Sequence, residues 1–104
     1  MDIDNIIDEA KANGVTDELL IMMKKIRPHY KDVVKDPLIT KLLRLTYTHI
    51  EKNDGKYGIE FLEERESTME DLIYMFELMK RPNHPLNREE LTEYKLLLRA
   101  TGIK

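Results

Sequence analysis

The chain contains no cysteine and no tryptophan, and it has few of the residues that break helices. Among its 104 residues are four glycines and four prolines. Without thiols the chain can form neither a disulfide nor a thiolate zinc site, and a cysteine nucleophile is excluded. Its single serine, Ser67, fits a helix cap, so serine-nucleophile chemistry has little basis here.

The sequence also lacks a long apolar run. Charged residues make up 36% of the chain and apolar residues 41%, a composition typical of a folded domain and not of a membrane span. Asp2 and Asp4 make the amino terminus acidic, whereas a secretory signal begins with positive charge. We therefore expect one domain over residues 1–104, located in the cytoplasm and without a membrane partner.

Apolar residues recur every three or four positions through most of the chain, as in helices that bury one face. The predicted helices cover residues 2–12, 17–27, 37–53 and about 59–80, and a last helix follows Asn87. The apolar run at residues 19–23 predicts a second helix that is buried on several sides. No segment alternates apolar and polar residues as a half-buried strand does. We predict an all-α fold, a single-domain irregular bundle of about five helices with short loops.

Capping residues and prolines set the expected helix ends. Thr16 and Asp36 stand where N-caps are expected, and Asn87 with Glu90 three residues later has the capping-box pattern. Pro28 lacks an amide hydrogen, so the second helix is predicted to end or kink there.

The segment from Ile59 to Lys80 has two interpretations. Ser67 with Glu70 is a capping-box pattern, which favours one short helix followed by another. Apolar spacing that continues across this position favours one long or kinked helix, and we prefer that interpretation. In a continuous helix four carboxylates would form a stripe on one face: Glu63, Glu66, Glu70 and Glu77.

Residues 53–64 superficially resemble an EF-hand calcium loop. Gly58 and Glu64 occupy the positions that this family requires. Its first ligand positions, however, hold Asn53, Gly55 and Tyr57, which leaves too few oxygen ligands for calcium. We predict an ordinary connection between helices and no metal.

A second motif resembles the acidic site of all-α nucleotide pyrophosphatases. Glu89, Glu90 and Glu93 match the E-E-x-x-E helix motif of that family, and Glu51 with Asp54 matches its E-x-x-D. The resemblance implies a magnesium-dependent phosphohydrolase. The two motifs stand in reverse order here, and such matches are frequent in a chain with 20 acidic residues. We predict no catalytic, cofactor-binding or metal-binding residue, and phosphohydrolase activity is the third hypothesis.

The three histidines are far apart in the chain and lack a metal-binding spacing. His49 lies in the last turns of the third predicted helix, where the helix dipole favours a protonated imidazole. We predict structural or solvent-exposed roles for all three.

Charge is segregated along the chain, although the net charge is only −3. Residues 1–18 carry one basic and six acidic side chains, residues 19–56 nine and four, residues 57–79 one and seven, and residues 80–104 six and three. A run of five cations dominates the second segment: Lys24, Lys25, Arg27, Lys31 and Lys35.

Segregated charge without a catalytic motif favours a noncatalytic helical module for protein-protein interaction or regulation, or a homodimer, as the leading hypothesis. The candidate partner-binding residues are the five cations of the basic run and the four glutamates of the stripe. The second hypothesis is a small regulator associated with DNA or RNA that uses the basic segment at residues 24–35.

Overall fold

Five α-helices form the part of the chain that the computed structural model describes, residues 2–58 and 68–102. They are α1 (Ile3–Asn13), α2 (Asp17–Asp32), α3 (Pro37–Lys52), α4 (Thr68–Met79) and α5 (Pro85–Gly102). The predicted all-α bundle is confirmed. In these two ranges, no helix is long and apolar enough to cross a membrane.

Local signals explain how the first three helices begin. Asp2 accepts a hydrogen bond from the backbone N–H of Asn5, and the Asn5 side chain accepts one from the backbone of Asp2. Thr16 accepts from Leu19 at 3.0 Å, and Asp36 caps α3, so both predicted N-caps are confirmed. Each cap satisfies backbone donors that the first turn of a helix leaves free.

Of the two outcomes predicted at Pro28, a helix end or a kink, the end is wrong, because α2 continues to Asp32. Ile26 and Tyr30, four residues apart on one face, are both buried, and their packing extends the helix past the proline. The carbonyl of Lys24 loses its usual donor at Pro28, but Lys24 is exposed and water can replace that donor.

The prediction that α2 is buried on several sides is also wrong. Leu19 and Met23 are fully buried, whereas Ile21 is 44% exposed. This helix therefore buries one face and presents the other to solvent, so it can carry a surface site.

The last helix begins at Pro85 and not after Asn87 as predicted. Proline is suited to the first position of a helix, where its missing N–H has no helical partner. Asn87 lies in the first turn and donates its side-chain amide to the carbonyl of Arg81 at 3.2 Å. Glu90 accepts a hydrogen bond from the hydroxyl of Tyr74 on α4.

The interpretation of residues 59–80 as one long or kinked helix lies outside the described residues as far as position 67. From there α4 spans Thr68–Met79.

The main helix contacts form a ring. The third helix packs against α2 and α5, while α1 packs against α2 and α4, and α4 also packs against α5. Their apolar faces meet in one core, to which α3 contributes five large side chains: Ile39, Leu42, Leu43, Leu45 and Ile50. Burying a side chain of this size contributes roughly 1.5–3 kcal/mol, so the core holds α3 firmly between its two neighbours.

Candidate functional site

An open groove of about 410 Å³ lies between α2 and α3. Its lining consists of five cationic side chains together with Pro37 and Thr40. The five cations, called here the basic groove, are Arg27, Lys31, Lys35, Lys41 and Arg44.

The first row of cations comes from α2 and the turn after it. Arg27 and Lys31 are four residues apart on α2, so the helical repeat brings them to one side, and Lys35 lines the groove from the turn after the helix. The Nε of Arg27 donates to the carbonyl of Thr40 on α3 at 3.3 Å, which directs the guanidinium across the groove. Lys35 has a left-handed backbone conformation with φ of 59°, which is strained for a residue other than glycine.

Lys41 and Arg44 on α3 form the second row, which was not among the predicted site residues. They are the only charged residues between Pro37 and Ile50, and the opposite face of this helix is buried in the core. Their position on the polar face of an amphipathic helix was the available signal. The packing of α3 against α2 is what joins the two rows.

The groove cations have no ion pair with a carboxylate within the described part of the chain. The neighbouring charge of Arg99, partial burial, and the charges of Lys95 and Arg44 lower the pKa of Lys41. Lys95 and Arg99 belong to α5, so positive charge continues from the groove onto a third helix. Cations this close repel one another, and an anion bound among them would relieve that repulsion.

Asp36, beside the groove, is occupied by contacts within the fold. It accepts hydrogen bonds from the backbone of Leu38 and Ile39 at 3.1 and 3.3 Å, and its Oδ2 lies 2.9 Å from Nη1 of Arg88. Burial would raise the pKa of Asp36, but the bonds from Arg88 and from the backbone outweigh it and lower the pKa. This carboxylate therefore stabilises α3 and is not a counterion of the groove.

Two cations of the predicted basic run do not line the groove. Lys24 lies 2.9 Å from Glu51 and 5.3 Å from the ring centre of Tyr47, so its charge is partly compensated. Lys25 is exposed on α2 but does not line the groove. The structure thus brings three of the five predicted cations together.

The acidic side of the molecule lies between α1 and α4. Glu70 and Glu77 line one shallow hollow with Ile73 and Tyr74, while Glu63 and Glu66 lie outside the described residues. Oε1 of Glu77 lies 3.5 Å from Nζ of Lys11 on α1, so these two side chains form an ion pair.

A second pair crosses from α1 to the end of α4, where Asp4 lies 2.7 Å from Lys80. The hydrogen bond and charge of Asp4 raise the pKa of Lys80. Acidic and basic residues on this side therefore pair within the fold.

Carboxylates of the pyrophosphatase-like motif do not gather into a cluster of three. In the described ranges no group of three or more histidine, aspartate or glutamate side chains could hold a metal ion. Glu51 pairs with Lys24, and Glu90 accepts from Tyr74. The phosphohydrolase hypothesis consequently lacks a site among these residues.

His49 is buried at the end of α3, and it is neutral. Its Nε2 accepts a hydrogen bond from the backbone N–H of Gly58 at 3.0 Å, which only an unprotonated nitrogen can do. Burial lowers the pKa of His49, so the protonated imidazole expected from the helix dipole is wrong. The ring packs edge-on against Tyr57, a contact that fixes the turn after α3.

No protein-family model matches the chain, and neither a curated protein nor a solved structure matches it.

Proposed function

We propose that this chain is a small noncatalytic binding module whose basic groove binds the phosphate backbone of a nucleic acid. The observation that carries the proposal is the grouping of five cations from two helices in one groove, without a carboxylate partner in the described ranges. Cations clustered on one face are the electrostatic signature of nucleic-acid binding.

The groove chemistry suits phosphate better than a protein surface. Three of the groove cations are lysines, and lysine is depleted in the cores of protein interfaces, which are enriched in aromatic residues, methionine and arginine. Arginine and lysine donate several hydrogen bonds to phosphate oxygens, and Arg27 is already directed across the groove by Thr40. Unpaired cations also need not break an internal ion pair before they bind a phosphate.

The net charge of −3 does not oppose this proposal. Two carboxylates between α1 and α4, Glu77 and Asp4, pair with Lys11 and Lys80, and neither helix lines the groove. Exposed charges farther apart than a Debye length of about 10 Å are largely screened at moderate salt. The groove cations would therefore contribute most of the electrostatic energy of a bound phosphate.

Fluorescence anisotropy with labelled nucleic acid tests the proposal on a pair of charge-matched variants. Lys31→Glu with Lys41→Glu reverses two groove cations, and Lys25→Glu with Lys52→Glu makes the same change in net charge at exposed positions outside the groove. We expect the groove variant to lose more than about tenfold in affinity, which is more than 1.4 kcal/mol, and the control to lose much less. Equal losses, or no binding by the unmodified chain at low salt, would contradict it.

Self-association is the second candidate function, and it corresponds to the homodimer in the leading hypothesis from the sequence. Val33 and Val34, which lie between two groove lysines in the chain, are 69% and 42% exposed, so a second copy could cover them. That copy would have to offer Glu70 and Glu77 to the groove, although Glu77 already faces Lys11. Light scattering at low and high salt tests this candidate: a salt-sensitive dimer supports it, and a monomer at both contradicts it.

A further inference from the structure

Apolar side chains are exposed at one end of the basic groove, in and just after the turn between α2 and α3. Val33 is 69% exposed and Val34 is 42% exposed. Pro37, the first residue of α3, is also exposed, and it lines the groove. These three residues, called here the apolar turn, lie on both sides of the groove cation Lys35 in the sequence. Cationic and apolar contacts are therefore available to one ligand at this end of the groove.

Backbone hydrogen bonds hold the two valines in their exposed positions. The N–H groups of Val33 and Val34 both donate to the carbonyl of His29, at 2.9 and 3.0 Å. Val33 keeps helical dihedral angles, with φ of −99° and ψ of −58°, so Val34 continues the register of α2. It follows Lys31 by three residues and therefore falls on the side of the helix that carries the groove cations. Valine is also stiff at χ1, so a ligand that covers these side chains costs them little entropy.

The size of the groove matches a short piece of one strand. Its volume of about 410 Å³ lies in the range of sites for small molecules, about 300–1,000 Å³. The cations stand on both walls, since α2 with its following turn forms one wall and α3 the other. A single backbone lying in the groove meets cations on both sides, whereas the wide convex surface of a duplex is too large to enter it.

The apolar turn is suited to the faces of unpaired bases. In a duplex these faces are stacked on one another, so a protein meets phosphates, sugars and base edges. The bases of a single strand can be splayed out, and aromatic or apolar side chains then pack against their faces. Val34 and Lys35 are adjacent, with Cα atoms about 3.8 Å apart. One nucleotide can therefore place its phosphate at the lysine and its base on the apolar turn.

We propose that the basic groove and the apolar turn together bind a single-stranded segment of nucleic acid, with phosphates among the groove cations and bases packed on Val33, Val34 and Pro37. This proposal rests on the proposed function and adds the class of nucleic acid and the residues that contact its bases.

Fluorescence anisotropy with three probes of equal length tests the proposal. The probes are a single strand of mixed sequence, a strand with the same backbone but without bases, and the duplex of the mixed sequence. Val33→Ser with Val34→Ser makes the turn polar. Ile21→Ser with Leu96→Ser is the matched control, since these residues are 44% and 56% exposed and do not line the groove. Thermal unfolding by circular dichroism first establishes that each variant folds.

We expect the unmodified chain to bind the single strand at least about fivefold more tightly than either other probe. The turn variant should lose at least about fivefold in affinity for the single strand and less than about twofold for the strand without bases, because only the former offers bases to the valines. Its slope of log affinity against log salt should not change, since no phosphate contact is lost. The control should bind all three probes as the unmodified chain does.

The other outcomes separate this proposal from the proposed function. If the turn variant binds the single strand as tightly as the unmodified chain does, or the duplex binds more tightly than the single strand, the single-strand proposal is wrong and the nucleic-acid proposal stands. If none of the three probes binds at low salt, both are wrong. Light scattering that shows a dimer which the turn variant converts to a monomer would assign the valines to a second copy and overturn the single-strand proposal. Binding to vesicles of anionic lipid but to no nucleic acid would overturn both.

Discussion

Two lysines on different sides of the molecule show the difference between its basic and acidic regions. Lys80 lies 2.7 Å from Asp4, which raises its pKa, whereas Arg99, partial burial, Lys95 and Arg44 lower the pKa of Lys41. The fold therefore stabilises the charge of Lys80 and disfavours that of Lys41. Charges without a partner of opposite sign are typical of binding sites. They make the folded protein less stable than it would be with paired or neutral side chains at the same positions.

The largest expected effect is on stability and comes from substituting Asp36, the carboxylate beside the groove that caps α3 and pairs with Arg88. Asp36→Ala removes the N-cap of α3 and the partner of Arg88, so we expect the free energy of unfolding to fall by about 2 kcal/mol. Asp36→Asn keeps the capping oxygen and should cost about 1 kcal/mol or less. Urea unfolding measures both. Equal losses would show that the ion pair, and not the cap, is the main contribution.

Much of the fold was predictable because its signals are local. Thr16 caps α2 and Asp36-Pro37 begins α3, and both depend on residues within one helical turn. The error at Pro28 has a tertiary cause. Packing of Ile26 and Tyr30 carries α2 past Pro28, and no local pattern records that packing.

The candidate site was predictable only in part for the same reason. Arg27, Lys31 and Lys35 could be identified because they follow one another in the basic run. Lys41 and Arg44 become their neighbours only when α3 packs against α2. Lys24, in contrast, belongs to the run but reaches Glu51 near the end of α3.

Lowering the pH should change the stability of the fold without changing nucleic-acid binding. The folded protein holds His49 neutral, while an unfolded histidine takes up a proton near pH 6.5. Stability should therefore be constant above about pH 6.5 and should fall as the pH decreases below it, until His49 is protonated in the folded state as well. Thermal unfolding between pH 5 and 8 measures this change.

His49→Gln is the control, since its side-chain oxygen can still accept from Gly58 but does not titrate. This substitution should reduce the pH dependence. His49 does not line the groove, so nucleic-acid affinity should not follow the loss of stability. An unchanged pH dependence in the variant would contradict the role given to His49.

A smaller effect is expected at two residues with left-handed backbones, one in the groove and one outside it. Lys35 has φ of 59° in the groove and Asp54 has φ of 56° in the turn after α3. Glycine adopts this conformation without strain, so Lys35→Gly and Asp54→Gly should each stabilise the fold by about 0.5 kcal/mol. Only Lys35→Gly should weaken nucleic-acid binding. If both substitutions change the affinity equally, Lys35 does not contribute to the binding site.

The smallest expected effect is a pair of opposite shifts in thermal stability. Lys41→Gln removes a charge that its neighbours repel, so the midpoint of unfolding should rise. Lys80→Gln removes the partner of Asp4, so its midpoint should fall. Both shifts should shrink at high salt, because salt screens surface charges. Shifts of the same sign would contradict the contrast between the two regions.

The salt dependence of nucleic-acid affinity tests most directly whether the unpaired cations of the groove bind phosphates. Each phosphate contact with a single strand contributes about −0.7 to the slope of log affinity against log salt, so five groove cations predict a slope of about −3.5. Between about 50 and 200 mM salt this slope corresponds to a loss of about 100-fold. Lys31→Glu with Lys41→Glu should make the slope shallower by about 1.4. A slope shallower than about −1, or one that this groove variant leaves unchanged, would contradict the groove as the binding surface.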